Sequence, residues 1–494
     1  MTHPHPHLAT ATATELAADL DSGELSAVSL TEMYLERIAA IDAAGPTLRS
    51  VIELNPDALE IAATLDAERR AGRVRGPLHG LPVLVKDNID SGDRMLTTAG
   101  SLALVGQPAA ADAPLLANLR AAGAVLLGKT NLSEWANFRS TRSASGWSGR
   151  GRQTRNPHVL DRTPSGSSSG SGAATAAGLA AFSVGTETDG SIISPANANG
   201  VVGMKPGVGV ISQAGIVPIS ASQDSAGPHA RSVRDAALLL EALSARPGAY
   251  AHLLRDHALR GRRLGVLRAP YTGYSEHADR VYEEALAALR DAGAELVDPA
   301  ELATATELRS SGLEPKILTH EFKAGLNSYL ATRPGLEVRT LADVIAFNLR
   351  NADREMPYFL QELLEKSEAT TGLEAPEYLE AIALGRELAR VRGIDALLAA
   401  HQLDALVAPS GPPAAVVDAI NGDRHLGGSS QPSAVAGYPI ISVPAGIVLG
   451  ALPVNINFFS RPGSEGALLA MAFAFEQSTR ALRTPGYLPA LDLS

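Results

Sequence analysis

The amino-acid sequence predicts an α/β fold, a single large domain in which a mixed, mostly parallel β-sheet is covered by helices on both faces. Residues 81–86 and 124–129 are short apolar runs bounded by turn residues, as is typical of buried strands, and a helical pattern at 114–122 separates them. Strand, helix and strand at this spacing form a βαβ unit with parallel pairing. Buried-strand patterns return late in the chain, at 403–409, 439–444 and 454–459. Since both ends supply strands and no period of about 20–50 residues repeats, we expect one sheet and not a string of modules.

The domain organisation follows from changes in composition along the chain. Residues 1–10 alternate histidine with proline and are expected to form a disordered tail, and residues 11–494 a single domain. Within that domain we expect a core at about 75–240. The charge-rich segment at about 301–392 is predicted to be a helical insertion at the edge of the sheet.

Further elements are predicted from hydrophobic periodicity and from capping residues. A strand is expected at 262–268, and helices at 13–42, 56–72, 232–243, 277–292 and 465–478. The stretch 162–203 contains two Gly/Ser-rich turns, and we interpret the apolar run 173–184 between them as a buried helix. That helix would bring the hydroxyl groups of both turns to one pocket.

Composition excludes several classes of function. The chain has 494 residues, a formal net charge of −11 and a pI of about 5.6, which argues against nucleic acid or an anionic membrane surface as partner. It has no cysteine, so disulfides and thiolate chemistry are excluded. The N-terminus shows no secretory pattern, and we expect a cytoplasmic protein, a monomer or homodimer, that needs no cofactor.

Three motif-based alternatives lack their structural context. The Gly/Ser loop has neither the G-x-x-x-x-G-K-[ST] nor the G-x-G-x-x-G pattern of phosphate sites. GSSSG at 166–170 matches the nucleophile elbow with Ser168 as nucleophile, but turn formers and not a strand precede it. The sequence has no H-E-x-x-H motif, no metal site is expected, and the isolated histidines near the core, His79, His158 and His229, are expected to be structural.

Lys86 is a candidate general base because it ends an apolar strand. Side chains alternate along a strand, so Asp87 is expected to point to the opposite face. A base must be neutral, which requires the lysine pKa to fall from about 10.4 by roughly three units. Hydroxyl neighbours without a carboxylate would permit this shift, whereas a lysine paired with a carboxylate at a strand end would be structural.

Ser191 is a candidate nucleophile within the turn GTETDGSIISP at 185–195. Small residues before a serine can direct successive backbone N–H groups at one point, as an oxyanion hole requires. The alternative is an ordinary Gly-containing turn.

Together these elements resemble the amidase signature family. The matching elements are Lys86 after its apolar strand, the loop 166–172, GTETDGSIISPANANGVVGMKP at 185–206, and AGYPIISVPAG at 436–446. Ser167 and Ser191 also stand 24 residues apart, as the two serines of the family do. The resemblance covers about residues 14–480.

The resemblance implies a role for each matching residue. Ser191 would be the nucleophile, Ser167 the bridging serine after a cis peptide bond, and Lys86 the base that removes the Ser191 proton through Ser167. The backbone N–H groups of the turn would hold the oxyanion, namely those of Thr188, Asp189, Gly190 and Ser191. Acyl transfer would release ammonia or an amine before hydrolysis.

The turn departs from the usual family pattern G-T-D-x-G-G-S. Glu187 replaces the aspartate and Asp189 the first glycine, and with TTAGSLAL at 97–104 and GKTNLSEWANF at 128–138 this resembles the peptide amidases, which hydrolyse C-terminal carboxamides of peptides. Asp189 would either bind a substrate N–H or brace the turn. The aromatic side chains expected to line an apolar acyl pocket are Trp135, Phe138 and Trp147.

The sequence leaves rival functions open. The same residues are expected in the glutaminase subunit of a tRNA-dependent amidotransferase and in general aryl or aliphatic amidases. A rival of another class is a non-catalytic scaffold with the same fold. The expected partner in each enzymatic case is a small-molecule or peptide amide substrate.

Overall fold

Strands from both ends of the chain join one continuous sheet in the computed structural model, which describes residues 3–492. The eleven strands in that range are β1 (Val51–Leu54), β2 (Pro82–Lys86), β3 (Val125–Thr130), β4 (Phe182–Glu187), β5 (Val202–Lys205), β6 (Ser225–Ala230), β7 (Arg263–Val266), β8 (Glu295–Val297), β9 (Ala405–Pro409), β10 (Ile440–Val448) and β11 (Leu452–Phe459). Their order across the sheet is β1-β3-β2-β4-β6-β5-β10-β11-β9-β7-β8. This confirms the predicted α/β class with a single domain built on a mixed sheet.

Parallel pairing within the described sheet is confined to two groups of three strands. They are β3-β2-β4, which contains the predicted βαβ unit, and β9-β7-β8. The six remaining pairs, at the β1 edge and across the centre, are antiparallel. The pair β10-β11 is a hairpin, which a tight turn can close, whereas parallel strands need a long crossover.

Helices pack on the sheet in two layers. Their bounds are α1 (Ala13–Ser22), α2 (Ala27–Arg37), α3 (Ala58–Arg70), α4 (Pro114–Ala121), α5 (Ser169–Ala176), α6 (Ile193–Asn199), α7 (Val233–Leu243), α8 (Glu276–Asp291), α9 (Ala305–Ser310), α10 (Leu313–Ala331), α11 (Leu341–Arg350), α12 (Ala352–Glu355), α13 (Glu362–Glu368), α14 (Pro376–Arg386), α15 (Asp395–Ala400), α16 (Gln431–Ala436) and α17 (Glu465–Thr479). Helices α5 and α6 pack together in one layer, and α7, α8 and α17 form the other. None of the helices within residues 3–492 combines the length and apolar character that crossing a membrane requires.

Capping residues divide the predicted helix at 13–42 into two. Thr12 caps α1 and forms a capping box with Glu15, and Gly23 ends the helix with a φ of 80°. Ser26 then caps α2, where Ser29 completes a second capping box. Glycine reaches the left-handed region without the steric cost of a Cβ atom, which explains the break.

The described part of the N-terminal segment is ordered, contrary to the expectation of a disordered tail. Residues Pro6–Ala9 form one helical turn, and Leu8 is fully buried in the main core. The buried Arg37 guanidinium donates to the Pro4 and His5 carbonyl groups. Polar composition predicted disorder, but one apolar side chain and one buried arginine anchor this segment; residues 1 and 2 of the predicted tail, and 493 and 494 of the domain, lie outside the described residues.

The apolar run at 173–184 is not one helix, as the sequence had suggested. Helix α5 covers only Ser169–Ala176, a turn follows at Gly178 with a φ of 62°, and β4 begins at Phe182. All six residues of β4 are buried because the strand lies inside the sheet. A short apolar run carries no periodicity that separates a buried strand from a buried helix.

The segment between β8 and β9, which includes the predicted insertion at 301–392, contains helices α9 to α15 and contacts more of the sheet than its edge. Helix α10 supplies Phe322 and Leu326 to an apolar cluster with Trp135 and Phe138. A second cluster joins Leu388 and other apolar residues of this segment to strands β9, β10 and β11. The segment therefore covers the loops at the ends of the central strands.

Candidate active site

Lys86 is the last residue of β2, and its side chain is fully buried among oxygen atoms. Its Nζ donates to Ser167 Oγ at 2.8 Å, to Ser168 Oγ at 3.0 Å, and to both Oγ1 (2.9 Å) and the carbonyl oxygen (3.1 Å) of Thr186. None of these four partners carries a charge. Lys86 thus has the hydroxyl surroundings that its sequence position suggested.

These surroundings disfavour the charged amine. Burial lowers the pKa of Lys86 to about 7, and the more distant carboxylates of Asp224 and Glu187 oppose this effect. A large fraction of the amine is therefore neutral near pH 7, the state in which it accepts a proton.

Asp87, the next residue, points away from Lys86, as the alternation along a strand predicts. Its carboxylate accepts hydrogen bonds from the Thr98 hydroxyl and, at 3.3 Å, from Gly100 N–H. Arg150 lies 3.3 Å from the same carboxylate. The carboxylate that follows Lys86 in the sequence is therefore bound by other groups and does not pair with the Lys86 amine.

Ser167 follows a cis peptide bond from Gly166, as the family resemblance implied. A Cβ atom on Gly166 would lie 2.3 Å from Ser133 Oγ, so only glycine fits there. The Ser133 N–H donates to the Ser167 carbonyl oxygen at 3.1 Å, and the Ser168 N–H donates to the Ser191 carbonyl oxygen at 3.1 Å. These bonds hold the Ser167 loop against the Ser191 turn.

Ser168, the nucleophile of the alternative elbow motif, is occupied by structural hydrogen bonds. Its fully buried hydroxyl donates to the Thr186 carbonyl oxygen at 2.9 Å and accepts from Thr186 N–H at 3.1 Å and from Lys86. The residue before it lies in a loop and not in a strand. The structure therefore argues against Ser168 as a nucleophile.

Ser191 closes a turn whose hydrogen-bond donors are unused. Its hydroxyl, in a residue that is 7% exposed, has no hydrogen-bond partner among residues 3–492. The backbone N–H groups from Thr188 to Ser191 likewise have no acceptor in the described part of the chain. Gly190 adopts a φ of 79°, which glycine tolerates best. The turn can therefore donate several hydrogen bonds to one external acceptor.

Two carboxylates brace this turn. Glu187, which replaces the family's aspartate, accepts from Ile192 N–H at 2.6 Å and Ile193 N–H at 2.9 Å at the start of α6. The Thr188 hydroxyl donates to Asp224 at 2.5 Å, and burial raises the pKa of Asp224 to about 6. Hydrogen bonds to these two carboxylates thus hold the turn in place, and its own N–H groups have no acceptor among the described residues.

Asp189 projects from the turn toward helix α10. Burial, and next the Glu314 carboxylate, raise the pKa of Asp189 well above its usual range. Its Oδ1 is buried and has no partner among the described residues. Its neighbours include Glu314 of α10 and Ser430 before α16.

The three aromatic residues expected to line one pocket belong to two clusters. Trp135 and Phe138 pack on Phe322 of α10, with ring centroids 6.4 and 5.1 Å away. Trp147 packs on Phe359, 5.2 Å away, in a separate cluster. The spacing along the chain could not distinguish these packing partners, because both lie in the distant helical segment.

A cavity of about 370 Å³ lies beside the turn. Thr186, Thr188 and Asp224 form one side of it, and Ala136, Val217 and Ile219 contribute apolar surface. Trp135, Ala136 and Asn137 all have positive φ values, 51°, 53° and 68°, a conformation that non-glycine residues rarely adopt. Trp135 itself is 1% exposed, and the cavity is lined by Ala136, the next residue in the chain.

A profile of the Amidase family matches residues 29–469. The chain belongs to the amidase family. The structure of the peptide amidase PAM in complex with the competitive inhibitor chymostatin is similar to this amidase with a TM-score of 0.92 and 51% identity, and the match covers 96% of this chain and 98% of that chain.

Curated relatives agree with this assignment. A probable amidase of Arabidopsis thaliana is 41% identical over 486 residues, which are 94% of this chain and 89% of the relative. A component of the glutamyl-tRNA(Gln) amidotransferase of Symbiobacterium thermophilum is 34% identical over 484 residues, 93% of this chain and 95% of the relative. The family and these neighbours identify an amide-hydrolysing enzyme and disfavour the scaffold alternative.

The histidines near the core of the amidase are each bonded to a main-chain carbonyl group. The acceptors of His79, His158 and His229 are those of Leu65, Asn199 and Ile192, at 2.9–3.0 Å. Burial lowers the pKa of both His158 and His229 to about 4. The rings of His158 and His229 are therefore neutral structural groups. Within residues 3–492 no group of three or more His, Asp or Glu side chains is arranged to hold a metal ion.

Sequence reasoning missed three residues of the site. Thr186 contacts Lys86 twice, but it lies in β4, of which residues 182–184 are predicted to be helix and residues 185–187 a turn. Ser168 is predicted as one of several hydroxyl groups of the first turn and as the nucleophile of the elbow motif, but its contact with Lys86 is not. Glu314 carried no signal, because nothing in its local sequence relates it to Asp189. If β4 is recognised as a strand, the alternation of its side chains is the signal that predicts Thr186 at the site.

Proposed function

We propose that this amidase uses Ser191 as nucleophile, Ser167 as proton bridge and Lys86 as general base, and that it removes the C-terminal carboxamide of peptides with release of ammonia. The observation that carries the proposal is the Lys86 amine. It is buried, its four contacts are uncharged oxygens, and it lies 2.8 Å from Ser167 Oγ. A lysine in this environment is poised to accept a proton near neutral pH.

The first step would form the acyl-enzyme. The Ser191 Oγ attacks the carboxamide carbon while its proton passes to Ser167 Oγ, whose own proton passes to the neutral Lys86 amine. The bond from Ser168 N–H to the Ser191 carbonyl oxygen supports this path, because it holds the two serine segments side by side.

The turn before Ser191 would stabilise the tetrahedral intermediate. Its unused N–H groups are donors fixed before the substrate arrives, so little reorganisation is needed as the oxyanion forms. Loss of one such donor typically costs about 10²–10³ in kcat.

Collapse of the intermediate would break the C–N bond. The proton held by Lys86 returns through Ser167 to the leaving nitrogen, so that neutral ammonia departs and the acyl group stays on Ser191. A water molecule then attacks the ester, gives its proton to the same relay, and releases the peptide acid with Ser191 restored. Every proton taken up is thus returned.

The substrate class is supported by two observations. The turn sequence GTETDGS and the similarity to peptide amidase over 96% of the chain favour peptide carboxamides. The cavity beside the turn combines apolar wall residues with polar groups near Thr188, which suits the acyl part of a peptide. Chymostatin, a competitive inhibitor of PAM, is accordingly expected to compete with substrate in this enzyme.

The decisive experiment measures ammonia release from a dipeptide amide, beside the same dipeptide as free acid and beside glutamine. We expect release from the amide alone and its loss in Ser191→Ala, with an unchanged unfolding temperature. Fluorophosphonate should label the wild type at Ser191 and leave Ser191→Ala unlabelled. Near-wild-type activity of Ser191→Ala would overturn the nucleophile assignment.

The second candidate is the glutaminase subunit of a tRNA-dependent amidotransferase, which the 34% identity to the glutamyl-tRNA(Gln) amidotransferase component favours. Ammonia release from glutamine and not from the dipeptide amide would support it. If neither substrate reacts but Ser191 is labelled, aryl and aliphatic amides become the substrates to test.

A further inference from the structure

A pair of carboxyl groups connects the Ser191 turn to the helical segment. Asp189 lies within the turn, and Glu314 is the second residue of α10. Ser430 Oγ would lie 3.1 Å from a Cβ atom on Gly190, and the next residue, Gln431, donates to Glu314, which places Glu314 beside the turn. The Glu314 charge raises the pKa of Asp189, and a hydrogen bond from Asp189 lowers the pKa of Glu314. Lys205 acts on Asp189 only through its charge, since its amine donates to the Tyr438 carbonyl oxygen at 3.0 Å. Two carboxylates in contact cannot both be ionised at moderate cost, so the pair holds one proton.

The hydrogen bonds around the pair indicate which partner is the anion. Glu314 Oε1 accepts from Gln223 Nε2 at 2.8 Å, and Oε2 accepts from Gln431 Nε2 at 2.9 Å. Two N–H donors stabilise a carboxylate. Asp189 contacts only the Ser430 hydroxyl beside Glu314, and its Oδ1 has no partner among residues 3–492. The proton therefore belongs on Asp189.

The location of this proton matters because Asp189 is part of the turn that would hold the oxyanion. A negative charge on Asp189 would oppose the negative charge that develops on the substrate oxygen. In a water-poor site such a repulsion is weakly screened. A neutral Asp189 leaves only the N–H donors of the turn to act on that oxygen.

We propose that Glu314 is a positioning residue of the amidase: its carboxylate accepts a hydrogen bond from the protonated Asp189 side chain, which keeps Asp189 neutral and the Ser191 turn in place. The inference rests on the proposed function, because it takes the turn as the oxyanion hole. It assigns a role to the helical segment, which otherwise lies outside the reacting residues.

The other titratable groups around the pair do not replace Glu314. Glu187 raises the pKa of Asp189, Lys205 lowers it, and Tyr271 after β7 feels the Asp189 charge. Glu187 is already occupied by N–H groups at the start of α6. Glu314 alone of these groups is hydrogen-bonded to Asp189.

The test compares two isosteric variants. In Glu314→Gln the amide donates to Asp189, which then ionises beside the turn, and we expect kcat to fall at least tenfold with KM changed less than threefold. In Asp189→Asn the amide donates to the Glu314 carboxylate as the acid does and cannot ionise, so kcat should fall at least threefold less than in Glu314→Gln. The wild-type decrease of kcat at alkaline pH, where the pair loses its proton, should be absent from Asp189→Asn.

A matched control comes from the same helix. Glu321 of α10 accepts from Ser220, Ser222 and Tyr378 and does not touch Asp189, so Glu321→Gln should keep kcat within twofold. Equal losses in Glu314→Gln and Asp189→Asn, with wild-type pH profiles, would overturn the inference and leave a purely structural pair. A wild type that neither releases ammonia nor reacts with fluorophosphonate would instead overturn the proposed function, and the inference with it.

Discussion

Lys86 and Lys129 are two fully buried lysines on adjacent parallel strands, and their surroundings differ. Lys129 lies opposite Val85 in the register, so its side chain leaves the sheet on the face opposite to that of Lys86. Lys86 meets the hydroxyl groups of Ser167, Ser168 and Thr186. The two amines thus lie on opposite faces of the sheet, and the Lys86 amine lies in a pocket of hydroxyl groups.

The Lys129 environment is acidic. Its Nζ donates to the Ile89 carbonyl oxygen and to Thr97 Oγ1. Burial lowers the pKa of Lys129, and the carboxylates that act against burial are those of Asp87, Asp90, Asp93 and Glu53. Lys86 has only Asp224 and Glu187 in that role.

The difference shows that burial alone does not make a lysine a base. Both amines are desolvated, but the charge that surrounds each one decides which protonation state is stable. Four carboxylates oppose the effect of burial on Lys129 and favour its ammonium form, whereas the hydroxyl groups around Lys86 permit a neutral amine. Variants at three positions, Lys86, Lys129 and Ser168, would break or sharpen this comparison.

The largest effect is expected for Lys86. In Lys86→Met the relay has no proton acceptor, and kcat/KM should fall by about 10³–10⁴, near the upper range for a general base. Lys86→Arg should be equally poor, because a guanidinium does not lose its proton at working pH. Ammonia release measures the loss, and thermal unfolding shows whether the variant is folded. An arginine variant with more than a tenth of wild-type activity would remove Lys86 from the base role.

A smaller effect, on stability and not on catalysis, is expected for Lys129. Lys129→Met leaves the Ile89 carbonyl and the surrounding carboxylates without their cation, and should lower the free energy of unfolding by about 2–3 kcal/mol. The folded fraction should keep kcat within threefold. Urea unfolding with activity per folded molecule tests both. A large loss of kcat with unchanged stability would contradict the comparison.

The smallest effect is expected for a variant that places a carboxylate beside Lys86, as carboxylates surround Lys129. With a pKa of about 7, Lys86 is deprotonated as the pH rises through neutrality, so kcat/KM should increase over that range. Ser168→Asp places a carboxylate beside Nζ, which raises the lysine pKa, and the rise in kcat/KM should move to alkaline pH by about one unit or more.

The matched control for this variant is Ser168→Asn, which has the same size without the charge. Both variants lose the hydroxyl bonds to Thr186, so a shift confined to the aspartate isolates the charge. Equal pH profiles in the two variants would show that the observed rise does not belong to Lys86.

Local patterns in the sequence were sufficient for much of the fold. The βαβ unit whose first strand ends at Lys86 and the late strands were predicted within a few residues, because alternation and turn residues act over short distances. Strand β4 was not, since its apolar residues extend the apolar run of α5 without a period of their own. The buried Leu8 and Arg37 likewise order an N-terminal segment whose composition predicted disorder.

For the site, the sequence by itself determined that a lysine ends a buried strand, that two hydroxyl-rich turns exist, and through the family resemblance which serines matter. Tertiary structure decided which hydroxyl groups surround Lys86, that Ser168 is occupied by Thr186, and that Asp189 meets Glu314. The physical reason is the distance along the chain over which each interaction acts. A strand or turn is specified by neighbours in the chain, whereas the charge around a buried group is set by residues that only folding brings together.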